Sequence, residues 1–100
     1  MSWKAQYEQN GTWHDMNFNS INVLEQPNGQ INASGTDEVG QFTFQGHFNN
    51  ADSGCKIVKQ YLGQHAIYYE GVLNKFAGEI NGHWGFNPGS NDGGFRMKKF

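Results

Sequence analysis

The sequence predicts an all-β chain, a single antiparallel up-and-down meander of about eight strands closed into a barrel. Three observations lead there. Apolar and polar residues alternate with period two in short runs, while helical periodicity is absent. Turn signals rich in Gly and Asn separate the runs. Glycine is abundant (14 residues) beside 15% aromatics and only 2 prolines, a pairing that suits tightly packed strands rather than a disordered Gly-rich chain.

In the first run, residues 2–9, Trp3, Ala5 and Tyr7 share one face and Lys4, Gln6 and Glu8 the other. Asn10-Gly11 tolerates positive φ at both positions and so marks a hairpin. The second run, residues 12–26, carries Met16 and Phe18 on one face, but Ile21 and Val23 have the opposite parity. A bulge near Asn19-Ser20 reconciles the two halves. Pro27-Asn28-Gly29 is the strongest turn and leads into residues 30–36, where Ile31, Ala33 and Gly35 alternate with Asn32 and Ser34.

Residues 37–40 form the next turn. Phe42, Phe44, Gly46 and Phe48 then line one face against Thr43, Gln45 and His47. After a loop over 49–54 comes a fifth run, residues 55–61, with Ile57 opposite Lys56. Leu62-Gly63-Gln64 turns into residues 65–72, which align His65, Ile67, Tyr69 and Gly71, and Leu73-Asn74-Lys75 is expected to turn again. The seventh run puts Phe76, Gly78, Ile80, Gly82, Trp84 and Phe86 on one side, with Ala77, Glu79, Asn81 and His83 on the other. A loop over 87–94 precedes a last run in which Phe95 and Met97 alternate with Arg96 and Lys98.

An open sheet of this length would leave two edges to protect, so closure is expected. The interior of such a barrel is just wide enough for side chains or one small ligand. Phe42, Phe44, Ile80 and Phe95 are expected in the core. Gly46, Gly71, Gly78 and Gly82 are expected to make room among the rings. The chain reads as one domain, 1–100, without repeat or linker.

Seven basic residues stand against nine acidic ones, for a net charge of -2. Arg96, Lys98 and Lys99 form the only basic cluster, and it is short, which argues against a nucleic-acid partner. No segment approaches the length of a helical membrane span, and no apolar run of signal-peptide length opens the chain. Asn10-Gly11-Thr12 and Asn32-Ala33-Ser34 match the glycosylation sequon but read as chance matches in an Asn-rich chain. Cys55 is the single cysteine, so no intramolecular disulfide forms. It is expected to be a half-buried, unreactive thiol, and a cytoplasmic location is expected.

The chemistry-bearing residues are sparse. His14, His47, His65 and His83 fall on four strands without the short spacing that metal ligation favours, so no metal is expected. The Gly-rich stretch 89–94 precedes a strand, which excludes the usual phosphate cradle at a helix N-terminus. No cofactor is implied, no nucleophile motif is present, and the chain is not expected to be an enzyme. The one unusual polar group is Asp37, Glu38, Lys59, Tyr61, His65 and Tyr69. A meander brings the turns at 37–40 and 62–64 to the same barrel end, so these residues gather at one mouth. Asp-Glu before Gly also makes a good turn, and tyrosine hydroxyls cap barrel ends, so a purely structural role competes.

Two resemblances accompany this reading. Gly11-Thr12-Trp13, with Arg96 available to face Trp3 or Trp13, resembles the calycin-type meander barrels, avidin-like and lipocalin-like, which set a basic residue of the last strand against an N-terminal tryptophan. It does not extend to biotin binding, because His14-Asp15 follow the tryptophan and the paired pocket tryptophans have no counterpart beyond Trp84. A second set comprises Trp3 and Tyr7; Asp37, Glu38 and Gly40; Lys59, Tyr61, Gly63, His65 and Tyr69; Gly82 and Trp84; and Gly93-Gly94-Phe95. It is similar to a group of small bacterial and protist domains of unassigned function.

The expected function is therefore a non-enzymatic binding module. It would hold a small ligand at one mouth through Tyr61, Tyr69 and Trp84, oriented by Asp37, Glu38 or His65. Two other readings compete. One is a homo-oligomeric or protein-interaction domain using the near-neutral Asn/Gln/Thr exterior. The other is a sugar-binding lectin built on an exposed Trp13 and the Asn and Asp side chains.

Overall fold

The computed structural model describes residues 2–24, 29–49 and 53–100. It contains eight strands: β1 (Trp3–Gln9), β2 (Thr12–Val23), β3 (Gln30–Thr36), β4 (Gln41–Phe48), β5 (Gly54–Tyr61), β6 (Ala66–Asn74), β7 (Glu79–Gly85) and β8 (Gly93–Lys99). Each pairs antiparallel with its sequence neighbours, and β8 pairs with β1, so the sheet closes on itself. The expected meander barrel is the observed one. The Pro27 turn and the end of the second run at Gln26 lie outside the described residues.

The local chemistry explains the path. Asn10 (φ 54°) and Gly11 (φ 82°) both adopt the left-handed conformation that a two-residue hairpin of this twist requires. Along β2, Phe18 pairs with Gly35 and Ser20 with Ser34, so Asn19 is the extra residue of a bulge. The bulge restores the inward phase that Ile21 and Val23 would otherwise lose.

The interior is filled by the chain's own rings. Phe18 meets Phe44 at 5.4 Å between centroids, Phe44 meets Tyr69 at 5.5 Å, and Tyr69 meets Phe95 at 4.5 Å. This stack crosses the barrel from β2 to β8, with Ile31, Ile57 and Ile80 fully buried around it. Burying each such side chain stabilises by about 2–3 kcal/mol. Close approach of β6 and β7 demands glycine: a Cβ on Gly82 would sit 1.8 Å from the Glu70 carbonyl oxygen and 2.5 Å from the Gly71 Cα.

Several expectations are corrected. Leu73 and Asn74 do not turn; β6 runs on through them because Leu73 is buried and Asn74 pairs with Glu79. The turn comes later, with Gly78 at φ 65° rather than on an inner strand face. Phe76 therefore lies fully exposed in that turn, and Phe86, just past the end of β7, is also exposed. β8 begins at Gly93, two residues before Phe95. Cys55 is buried rather than half-buried, and burial pushes its thiol up to about 11.

Candidate ligand-binding mouth

Because the strands alternate in direction, the β1–β2, β3–β4, β5–β6 and β7–β8 connections all meet at one end of the barrel. There the wall opens into a recess of about 100 Å³ lined by Tyr7, Gln9, Val39, Tyr61, His65, Ile67, Tyr69, Trp84 and Phe86. Each large ring in it is held by a neighbour. The Trp84 indole N–H donates to the Glu8 carbonyl at 2.7 Å, tying β7 across to β1. Tyr7 meets Trp84 edge-on, and Phe86 packs against Trp84 in the same way at 5.2 Å. Tyr61 and His65 lie 5.3 Å apart.

Beneath the recess lies a charged floor with no solvent access. The side chains of Lys59 and Asp37 are both fully buried and form an ion pair through Asp37 Oδ2. That oxygen also accepts from the Tyr61 hydroxyl at 2.6 Å. Asp37 Oδ1 caps its own turn, accepting from the Val39 N–H at 2.9 Å and the Gly40 N–H at 3.4 Å. The Lys59 ammonium further donates to Met16 Sδ at 3.2 Å and to the Tyr69 oxygen at 3.4 Å. Phe42, Tyr61 and Tyr7 surround it with ring centroids at 4.5, 4.6 and 4.9 Å. Among the described residues, every buried side-chain nitrogen and oxygen has a partner.

Burial sets the protonation states. Desolvation pulls Lys59 down to about 8, against the opposing hydrogen bond and charge of Asp37. Burial, reinforced by the Asp37 and Glu38 charges, pushes Tyr7 up to about 12. It raises Tyr61 and Tyr69 well above the ordinary phenol, with Asp37 adding to both. At neutral pH the tyrosines keep their protons, and Lys59 and Asp37 neutralise one another. The recess is thus an aromatic cup, with the Tyr61 and Tyr69 hydroxyls already engaged below it.

Of the residues the sequence singled out, Tyr61, His65, Tyr69 and Trp84 converge on this recess. Asp37 does not line it; its carboxylate lies below, fixing Tyr61. Glu38 does not line the recess; its carboxylate meets His14 Nδ1 at 2.9 Å, and His14 in turn stacks on the recess residue Tyr7 at 5.1 Å. Sequence reasoning missed Tyr7, Gln9, Val39, Ile67 and Phe86 as lining residues. Alternation aligned Tyr7 with Ala5 and Ile67 with Tyr69, which was signal enough for those two; a turn valine such as Val39 has none.

On the outer wall the Arg96 guanidinium lies 3.9 Å from the centre of the Trp13 ring, so Trp13 rather than Trp3 is its partner. Trp13 is 39% exposed. His83 pairs with Glu70 at 3.2 Å, and among the described residues no three of His, Cys, Asp and Glu cluster as metal ligands would. Comparison of the chain with protein-family models, with curated proteins and with solved structures finds no match, so the eight-stranded meander barrel carries no family assignment.

Proposed function

We propose that this barrel is a non-enzymatic binding module that takes a small, uncharged, one-ring or branched apolar group into the recess of Tyr7, Tyr61, His65, Tyr69, Trp84 and Phe86. The observation that carries the reading is the recess itself, a pre-formed aromatic cup at the turn-bearing end. Its volume of about 100 Å³ is well below the 300–1,000 Å³ or so of a site for a drug-sized molecule. It is nearer the roughly 150 Å³ cavity that accepts benzene. One group therefore inserts, and the remainder of the ligand rests on the exposed Val39, Leu62 and Phe86 at the same end. Charged ligands are disfavoured because Asp37 and Lys59 already satisfy each other. The resemblance to calycin-type barrels adds support, with the difference that here the interior is occupied by the chain's own rings.

The test is an amide and indole NMR titration with phenol and with cyclohexanol. Saturable shifts are expected at Val39, Leu62, His65 and the Trp84 indole, and they should vanish in Phe86→Ala while the melting temperature stays put. Shifts absent at millimolar probe, or unchanged in Phe86→Ala, would refute the reading.

A second reading, self-association, rests on Val58 and Val72, exposed on the outer face of β5 and β6. The closed barrel has no free edge, so association would be face to face; a strictly monomeric sedimentation profile would dismiss it. The lectin reading is weakened by Arg96, which covers one face of Trp13.

A further inference from the structure

The seam where β1 meets β8 concentrates positive charge against the balance of the molecule. Lys4 and Lys98 stand directly opposite one another across it, and Gln6 stands opposite Arg96 on the same outer face. Like charges directly opposite in an antiparallel pair are destabilising. Both ammonium groups nevertheless lie over the same Phe100 ring, at 5.3 and 5.7 Å from its centre. These residues line an open recess of about 440 Å³ together with two carboxylates, Asp15 and Glu79.

Arg96 is held as a presented fork. The Asp15 carboxylate accepts from the Gln6 amide at 2.7 Å, which turns Gln6 Oε1 toward Arg96. That single oxygen receives Arg96 Nε–H at 2.8 Å and Nη2–H at 2.6 Å, while Trp13 stacks beneath the guanidinium plane. Of the five N–H donors of an arginine, two are used and three remain. Of the two carboxylates lining the recess, Glu79 pairs with Lys98 at 3.6 Å and Asp15 is engaged by the Gln6 amide, which leaves Lys4 and Arg96 as the charges without a counterion. Among the described residues, no carboxylate pairs with Lys4 or Arg96.

We infer that this seam is a binding site for a small soluble oxyanion, a phosphate or sulfate group, taken by the free edge of Arg96 with Lys4 as the flanking charge. A planar fork beside a point charge matches a tetrahedral oxyanion in shape and sign. The anion would also supply the counterion that Lys4 lacks, where Lys98 already has Glu79. The site lies on the side wall, independent of the mouth.

Titration with inorganic phosphate and with sulfate, followed by amide and Arg96 Nε NMR signals at ionic strength fixed with sodium chloride, tests it. Saturable shifts are expected at Lys4, Gln6, Arg96 and Lys98. Arg96→Gln and Lys4→Gln should each weaken binding roughly tenfold. Lys4→Gln leaves the Trp13 stack intact, so a loss there cannot be assigned to unfolding. Shifts spread equally over Lys56 and Lys75, or undiminished in both variants, would overturn the inference. So would Lys4-dependent pelleting with phosphatidylserine vesicles in the absence of any shift with free phosphate, since the seam would then read a lipid surface.

Discussion

Exchanging Asp37 for asparagine removes the negative half of the buried pair and leaves the turn nearly intact, because one amide oxygen still caps Val39 and Gly40. The new NH₂ group then faces two donors, the Lys59 ammonium and the Tyr61 hydroxyl. Neutralising a lysine at pH 7 from its ordinary value of 10.5 costs about 5 kcal/mol. With Lys59 at about 8, the unaltered barrel already bears about 3 kcal/mol of that, so the charge alone adds at most about 1–2 kcal/mol. A buried Tyr61 hydroxyl without its acceptor adds about 1–3 kcal/mol. The sum, about 3 kcal/mol at pH 7, agrees with the general cost of breaking a buried pair. For a domain of this size it lowers the melting temperature by roughly 15 °C.

At pH 9.5 Lys59 is neutral in both folded proteins, so the charge component disappears and about 2 kcal/mol remains. Adding Lys59→Met to Asp37→Asn should recover about 1–2 kcal/mol at pH 7 and erase this pH dependence. Urea unfolding followed by circular dichroism at both pH values measures all three quantities. A penalty that does not change with pH, or a double variant no more stable than Asp37→Asn alone, would refute the reasoning.

Two further outcomes follow from the same structure. In the unaltered chain, the unfolded state holds the Lys59 proton up to 10.5 and the folded state releases it near 8, so this group makes stability rise with pH across that window. Cys55 acts in the opposite sense, its contribution being present below 9 and lost between 9 and about 11. A Cys55→Ser background should therefore expose the Lys59 rise in urea midpoints, and Lys59→Met should abolish it. Gly82→Ala drives a Cβ into the Glu70 carbonyl and should cost more than 3 kcal/mol or prevent folding, roughly three times the cost of Gly11→Ala, which strains φ but meets no atom within 4 Å. Thermal melts of the two variants decide between them.

The fold was legible because each strand carries its own period and each turn its own chemistry. The parity change between Phe18 and Ile21 was enough to place the bulge at Asn19. What failed was extrapolation past strand ends: Phe76 and Phe86 keep the parity of β7 but lie beyond it, where backbone turns override alternation. Lys59 is the instructive case. Alternation with Cys55, Ile57 and Tyr61 puts it on the inner face, yet its charge argued for a rim, and only the partner in the β3–β4 turn explains how the interior accepts it. The convergence of Tyr61, His65, Tyr69 and Trp84 was visible from strand direction alone. The pairing of Glu38 with His14 was not, because the two are remote in sequence.

The β1–β8 seam also governs how the chain finds its shape. Seven of the eight strand pairings join sequence neighbours, and only this one spans nearly the whole chain. Closing so long a loop costs about 2 kcal/mol more than closing a hairpin, at roughly 0.6 kcal/mol for each doubling of length. Seven pairings can zip progressively from local contacts, whereas the eighth waits for the ends to meet, so seam formation is the late, entropically taxed event of folding. Lys4 and Arg96 become neighbours only at that moment. An oxyanion on the seam would bind the closed barrel and not the open sheet, and would act as a clasp that slows reopening.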